Sequence, residues 1–586
     1  MGKTVFCMMI FTLLILPGYS QLPDLPHQLT TEELLLLPGY QPPLYSDALT
    51  DPPPYPVRTV AEWEELQGIM VTWTSYQYIL SQIIDYAQDE CLVYVVCSDS
   101  NTVRNYLISR GIPIQNIYFI LANFNSIWIR DYGPWNVYST PGDTLGIVDW
   151  IYNRPRPYDD LIPGIFANLI NAPLFATTTA PNNLIHSGGN FLPDGHGSAL
   201  SSKLILEENP TKTEAQIDTI MKNFMGIQRY IKMDVLPYDV IHHIDMHIKL
   251  LDEETLLVGE YPPGVSDGPQ IEANLNYLLT HFKTCYGRDF RVVRIPMPPD
   301  QSGLYPSSGG DYRTYTNSII INKTIIVPTY QLRYDTTAFR IYREAMPGYR
   351  IVGIDCNSII PSLGAIHCIV KEVGAYEPIQ ISHAPWWSVR DTLQSYPIIT
   401  RIQTSNGIQQ AEVHWSVDTT QGYAVIPMIP TNNDSFIAEI PRQPGDNQIF
   451  YFISARSNSG KLITRPLTAP AGFYTLNIEA VSGLDEIPKS ISQSPILYPN
   501  YPNPFNPVTT ISWQLEAGSM VNLSVYNSSG QKIVELVNGE KPAGSHKVGF
   551  NATGLASGVY FYQLKVTSPA NHLREQVLSR KMLLLK

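Results

Sequence analysis

Five short clusters hold the residues of this chain best suited to covalent chemistry: Trp128-Ile-Arg-Asp131, Ser187-Gly-Gly-Asn190, His242-His243-Ile-Asp245, Tyr315-Thr-Asn317 and Gly364-Ala-Ile-His367-Cys368. Together they offer a thiol, two carboxylates, an imidazole and carboxamides. That set suits a planar cation such as a guanidinium, which stays charged because its pKa is above about 12. Carboxylates can hold such a cation through paired hydrogen bonds. A thiolate can attack its poorly electrophilic carbon. One histidine can protonate departing ammonia and then activate water. Taken singly, four of the clusters have a plainer reading: Asp131 as a turn cap, 242–245 as a polar edge strand, 187–190 as a tight turn, Cys368 as a core residue.

The surrounding pattern says how these groups would be positioned. Apolar strands alternate with helical stretches: a strand at 68–73, a helix reaching about 88, a strand at 91–97, a helix at 102–110 and a strand at 117–122. Such alternation defines an α/β domain. Asp131 would then stand at a strand end, where α/β folds place functional groups. Residues two apart on a strand face the same way, so His243 and Asp245 would point together and His242 away. Asn317 would lead into one strand over 319–328, and the small residues before Cys368 would let backbone approach it closely.

Outside this region the chain changes character. Residues 21–60 are rich in proline and leucine, and 51–56 form an extended segment. Residues 380–478 show only short alternating runs, as an immunoglobulin-like sandwich does. A Ser/Gly linker near 480–494 leads to a last all-β segment, 495–586. At the other end, Lys3, the apolar run 5–16 and Gly18-Tyr19-Ser20 read as a signal peptide over residues 1–20. Cys7 leaves with it, and the five remaining cysteines force at least one free thiol. Cys91 and Cys97 cannot pair along a strand: six steps cover roughly 20 Å, against the ~7 Å a disulfide allows. The formal charge of -13 argues against a nucleic-acid surface.

In their order along the chain, Trp-x-x-Asp, Gly-Gly-Asn, His-x-Asp, Tyr-x-Asn and Gly-x-x-His-Cys resemble the landmarks of the agmatine deiminase and bacterial peptidylarginine deiminase family. The resemblance runs from about Ala61 past Cys368. It implies a pentein-type α/β propeller catalytic domain over 61–376, a ring of about five modules, although the sequence shows no obvious repeat. It gives Cys368 the attack on the guanidinium carbon and Asp131 and Asp245 the guanidinium nitrogens. His243 becomes the acid and base, Asn317 a positioning group, and Trp128 the wall along the substrate's aliphatic stem. No metal and no cofactor is implied. The segments 498–507, 554–562 and 580–586 resemble a type IX secretion C-terminal sorting domain, which implies passage across an outer membrane, with this domain removed or anchored at the surface.

Tyr152-Asn-Arg154-Pro-Arg156-Pro157 bears on the substrate. The residue before proline prefers extended backbone, so the arginines at i and i+2 would share a side and could grip a carboxylate. The segment resembles the one with which bacterial peptidylarginine deiminases bind a C-terminal arginine. Agmatine has no carboxylate and would leave the pair unmatched. The expected partners are therefore arginine-containing peptides or proteins and the outer-membrane secretion machinery, with no nucleic acid and no membrane-spanning segment in the mature chain. The alternatives are agmatine deiminase, a non-catalytic surface binding protein on this scaffold, and an amidinotransferase.

Overall fold

Between residues 66 and 374 the same unit recurs five times: a strand, an antiparallel second strand, a helix, and a third strand parallel to the second. One unit is Trp135–Ser139, Leu145–Tyr152, helix Ile162–Ile170 and Leu174–Thr177. The next is Leu192–Pro193, Ser198–Ser202, helix Glu214–Met225 and Arg229–Met233. Then come Ile248–Leu250, Thr255–Glu260, helix Asp267–His281 and Arg291–Pro296. Ile319–Ile321, Thr324–Thr329, helix Leu332–Ala345 and Arg350–Asp355 follow. The fifth unit joins the two ends of the region. Lys371–Gly374 pairs with Leu66–Thr72, which helix Gln77–Ala87 connects to the parallel Leu92–Cys97.

The structure is a computed structural model describing residues 25–585 except 141–142, 391–394, 433, 444–446, 480–495, 499, 501, 516–517, 529, 543 and 568–574. The signal peptide at 1–20 and the linker at 480–494 lie outside the described residues.

Local sequence explains the units. In helix Glu214–Met225 the buried residues are Ile217, Ile220, Met221, Phe224 and Met225, the i, i+3, i+4, i+7, i+8 stripe of a one-sided helix. Thr213 and Gln216 close a capping box at its start. Gly226 ends it at φ 72, where a Cβ would sit 2.0 Å from the Val57 carbonyl oxygen. One expected element is different: 319–328 is a hairpin, because Asn322 takes a left-handed φ of 48 and folds Thr324–Thr329 back on Ile319–Ile321. The strand Leu92–Cys97 is as expected, and all five described cysteines are free thiols.

The chain divides into two units, up to 480 and from 481 onward. Within the first, residues 380–479 contribute two sheets, and Tyr396, Ile398 and Ile440 of one share a core with Val413, Ile449 and Tyr451 of the other. The second unit also forms two sheets, with Trp513, Phe550, Tyr562 and Met582 in its core. No described helix is long and apolar enough to cross a membrane.

Candidate active site

Each of the five clusters stands just ahead of the first strand of one unit. Asp131 belongs to the short helix Ile129–Tyr132 before Trp135–Ser139, and Gly188–Asn190 is a 3-10 turn before Leu192–Pro193. Ile244–Met246 precedes Ile248–Leu250, Asn317 precedes Ile319–Ile321, and His367–Ile369 precedes Lys371–Gly374. Two expectations are corrected here. Asp131 is helical rather than at a strand end, and His243 and Asp245 are not on a strand. His243 is the extended residue that opens a 3-10 turn, and Asp245 lies within that turn. The tight turn, not strand alternation, brings both side chains to the site.

The groups converge on Gly189. A Cβ there would lie 2.5 Å from His243 Nδ1, 3.2 Å from Asp131 Oδ1 and 3.3 Å from Asp245 Oδ2. Only glycine lets all three approach, and its backbone N–H donates to Asp131 Oδ1 at 3.0 Å. Asn317 Nδ2 donates to Asp245 Oδ2 at 3.0 Å and to Cys368 Sγ at 3.2 Å. Its carbonyl oxygen accepts the His367 backbone N–H at 3.0 Å. Cys368 Sγ lies 3.9 Å from Asp245 Oδ2. His243 Nε2 meets Ser187 Oγ at 3.0 Å, and its Nδ1 stands 3.7 Å from Asp131 Oδ1. Cys368, His243, Asp131, Asp245 and Asn317 are each at most 1% exposed.

Burial, reinforced by Asp245 and Asp131, pushes the Cys368 thiol well above its ordinary range. A cation lodged between the two carboxylates would oppose that shift. Burial also disfavours the Asp131 carboxylate, but His27, His243 and the Gly189 N–H outweigh it and hold the group well below the usual carboxylate range. Burial lowers His243 to about 4 against the pull of Asp131, so it is neutral at pH 7.

Sequence reasoning missed a support beneath this set. His367 bridges Asp245 Oδ2 at 2.7 Å and Glu62 Oε2 at 2.8 Å. Glu62 in turn takes Lys249 Nζ at 2.5 Å. Burial raises Glu62, yet Lys249 and His367 together hold it ionised far below the usual range. The His-Cys dipeptide was the available signal, but it marked the cysteine and not its neighbour.

It also missed an occupant. The His27 ring lies flat on Trp128, with centroids 4.3 Å apart and planes 6° apart, and its Nε2 is 2.5 Å from Asp131 Oδ2. Arg154 Nε donates to the His27 carbonyl oxygen at 2.9 Å. Arg156 pairs with Glu33 at 2.7 Å and donates to the Pro26 carbonyl at 2.7 Å. The two arginines and Trp128 thus face one segment together, and both guanidinium groups are buried. A Thr30–Glu33 capping box starts helix Thr31–Leu36 and was readable; nothing local distinguishes His27. Ligand atoms of His27, Asp131 and His243 lie within 4.8 Å of one another. The short His27–Asp131 separation is nevertheless that of a hydrogen bond, since two ligands of one ion stay roughly 3 Å apart.

Residues 58–373, more than half of the chain, match the Porphyromonas-type peptidyl-arginine deiminase family. The chain belongs to that family, whose members are hydrolases of guanidino C–N bonds. A relative from Vibrio parahaemolyticus named "Putative agmatine deiminase" is 26% identical over 313 residues, 48% of this chain and 83% of the relative. One of the same name from Legionella pneumophila is 27% identical over 269 residues, 44% of this chain and 75% of the relative. The solved agmatine deiminase of C. jejuni is 22% identical, covers 55% of this chain and 96% of its own, and superposes with a TM-score of 0.46. Residues 500–576 match a secretion system C-terminal sorting domain. The protein is accordingly exported, to the cell surface or beyond it.

Proposed function

We propose that this protein hydrolyses the guanidinium of peptidyl-arginine, by preference at a C-terminus, to citrulline and ammonia through a covalent intermediate on Cys368. The observation that carries this is the convergence on Gly189 of an imidazole and two carboxylates beside a thiol. Asp245 Oδ1 and His243 Nδ1 are buried there without a hydrogen-bond partner among the described residues. A guanidinium brings the N–H donors that such acceptors need, and leaving them unmet costs about 1–3 kcal/mol each.

The chemistry follows from the placement. The cation settles between Asp131 and Asp245 along the face of Trp128. Its charge offsets the two carboxylates and lowers the Cys368 pKa, so when substrate is present the thiol proton passes to the neutral His243 imidazole. The sulfur bonds to the guanidinium carbon. One C–N bond breaks, and the nitrogen leaves as ammonia with a proton delivered by His243. The neutral imidazole then takes a proton from water, whose oxygen bonds to the thiouronium carbon. Collapse of that adduct breaks the C–S bond, leaving a ureido group and the thiolate, which Asn317 holds by its Nδ2–H. The balance is one arginine side chain and one water in, one citrulline side chain and one ammonium out.

Arg154 and Arg156 favour a substrate with a carboxylate near the reacting side chain, because both bind acceptor oxygens of residues 26–33. In the same reading the five units stand about one axis as a propeller over 61–376, followed by an immunoglobulin-like domain at 380–478 and a sorting domain at 495–586. The names of the relatives point instead to agmatine. Ammonia release and ureido-product formation from terminal-Arg peptide, internal-Arg peptide and agmatine separate the two, measured for the native chain and for His27→Gly. In the His27→Gly background, Arg156→Gln is expected to lower kcat/KM on the terminal-Arg peptide by about 10–100-fold and to leave agmatine unaffected. Faster turnover of agmatine than of the terminal-Arg peptide overturns the peptide reading. Loss of all turnover in Cys368→Ser is required of either.

A further inference from the structure

We propose that residues 25–36 are a built-in pseudosubstrate that keeps this enzyme latent, and that a peptide takes their anchors when they leave; this rests on the deiminase reading above. The segment copies a bound arginine peptide group by group. A flat ring bearing an N–H fills the place between Trp128 and Asp131, with Nε2 on Asp131 Oδ2 and an edge toward His243 at 5.0 Å. Its Nδ1 meets the Leu363 carbonyl at 2.8 Å, and its backbone N–H donates to the Ser362 carbonyl at 3.2 Å. A histidine is shorter than arginine and has no carbon that a thiol can convert, so it can occupy the site without reacting.

The backbone of the segment is held as a substrate backbone would be. Trp128 Nε1 donates to the Leu25 carbonyl at 2.9 Å, Arg156 Nη2 to the Pro26 carbonyl and Arg154 Nε to the His27 carbonyl. Three successive carbonyls thus each find a donor. In a peptide that ended at the residue in the place of His27, the last of these oxygens would belong to a terminal carboxylate beside Arg154. The Glu33 carboxylate already holds Arg156, as a second copy of that charge would. Agmatine and free arginine have no upstream carbonyls, so these donors name the substrate class as a peptide with at least two residues before its arginine.

What holds the segment also makes it removable. His27 is fully buried and Glu33 nearly so, yet Leu34, Leu35 and Leu36 of the attached helix are 55%, 80% and 61% exposed. Anchoring comes from polar contacts and the His27 ring on Trp128 rather than from buried leucine. A cut in the exposed run 34–39 would leave residues 25–33 held by those contacts alone. While they remain, Cys368 is wholly shielded from solvent.

The test uses the full chain with His27→Gly and Glu33→Gln, singly and together, and two readouts. One is kcat/KM on a peptide with two or more residues before a terminal arginine. The other is the rate of Cys368 alkylation by iodoacetamide, with thermal unfolding to confirm that each variant folds. The double variant is expected to gain at least tenfold in both, and a synthetic peptide of residues 25–36 is expected to reverse the gain competitively. Rates in the double variant equal to those of the native chain overturn the proposal, as does activation of the native chain by EDTA alone, which would assign latency to a metal. Faster alkylation with no turnover of any arginine compound would leave the cover in place and sink the deiminase reading. High turnover that neither substitution changes would do the reverse.

Discussion

The two walls of the pocket satisfy their polar groups by different means. On one, Cys368, Asn317, Asp245 and His367 are bonded to one another and, through Glu62 just ahead of the first unit strand, to Lys249. On the other, Trp128, Asp131, Arg154 and Arg156 end on residues 25–33, a segment outside the units. The first wall is held mainly by folding, with Asp245 Oδ1 left open, and the second mainly by an occupant, with Asp131 Oδ1 also on the Gly189 N–H. A substitution in the first should therefore cost stability as well as turnover. In the second it should alter binding while the fold stays unchanged.

The sharpest way to break this comparison is a matched pair of isosteres. Asp245→Asn removes a carboxylate that His367 and Asn317 both contact, and Asp131→Asn one that the occupant contacts. Each is expected to lower kcat by about a thousandfold, since charge stabilisation of the reacting cation is lost. Only Asp245→Asn should also lower the thermal midpoint measurably. Equal destabilisation by the two would erase the distinction between the walls. Next in size is Gly189→Ala, which acts on both walls at once. Its Cβ would meet His243 Nδ1 at 2.5 Å, and an ångström of displacement costs about a hundredfold in kcat. Turnover within threefold of native would show that the convergence on Gly189 is not required.

The walls also differ in how far sequence could reach them. Asp131, Asn317, Asp245, His243 and Cys368 stand out because their five clusters, in order, resemble the landmarks of a deiminase family; singly each is a modest signal. Their equivalence was not legible. What repeats among the units is a position just ahead of a first strand, and those strands run to only two or three residues in Leu192–Pro193, Ile248–Leu250 and Ile319–Ile321. Runs that short carry no period. The α/β alternation was readable because the second strands and helices are longer, as in the Ile217–Met225 stripe. The hairpin at Asn322 was not, since Asn-Lys between apolar runs is a weaker turn signal than Asn-Gly. His27 escaped because its meaning lies in a contact with Asp131 that no local pattern announces.

Glu62 sharpens the comparison at a smaller scale. Glu62→Gln leaves Lys249 buried beside a neutral partner and loosens His367 under Asp245; about a twentyfold loss in kcat is expected, with a lowered thermal midpoint. The pH dependence of stability gives the sign. The folded pKa of Glu62 is held below its ordinary value of 4.5. Its stabilisation is therefore complete above that value and is lost as pH falls below it. Thermal midpoints between pH 6 and pH 3 should fall more steeply for the native chain than for Glu62→Gln. Parallel curves would remove Glu62 from the support of this wall.

The smallest effect is the most diagnostic, because it separates the electrostatics of the walls from their packing. Cys368 is kept protonated by burial and then by Asp245 and Asp131. Removing one negative charge lowers a neighbouring thiol pKa, so the thiolate fraction at neutral pH must rise even as turnover falls. Asp131→Asn is the cleaner substitution, since Asp245 shares Asn317 with the sulfur and its loss would move the thiol as well. In a His27→Gly background, where reagent can enter, iodoacetamide should alkylate Cys368 at pH 7 about tenfold faster in Asp131→Asn, roughly one pKa unit. The pH-rate profile should shift toward lower pH without a change in its plateau. A plateau that changes while the midpoint stays put would mean that Asp131 acts on Cys368 through access rather than charge.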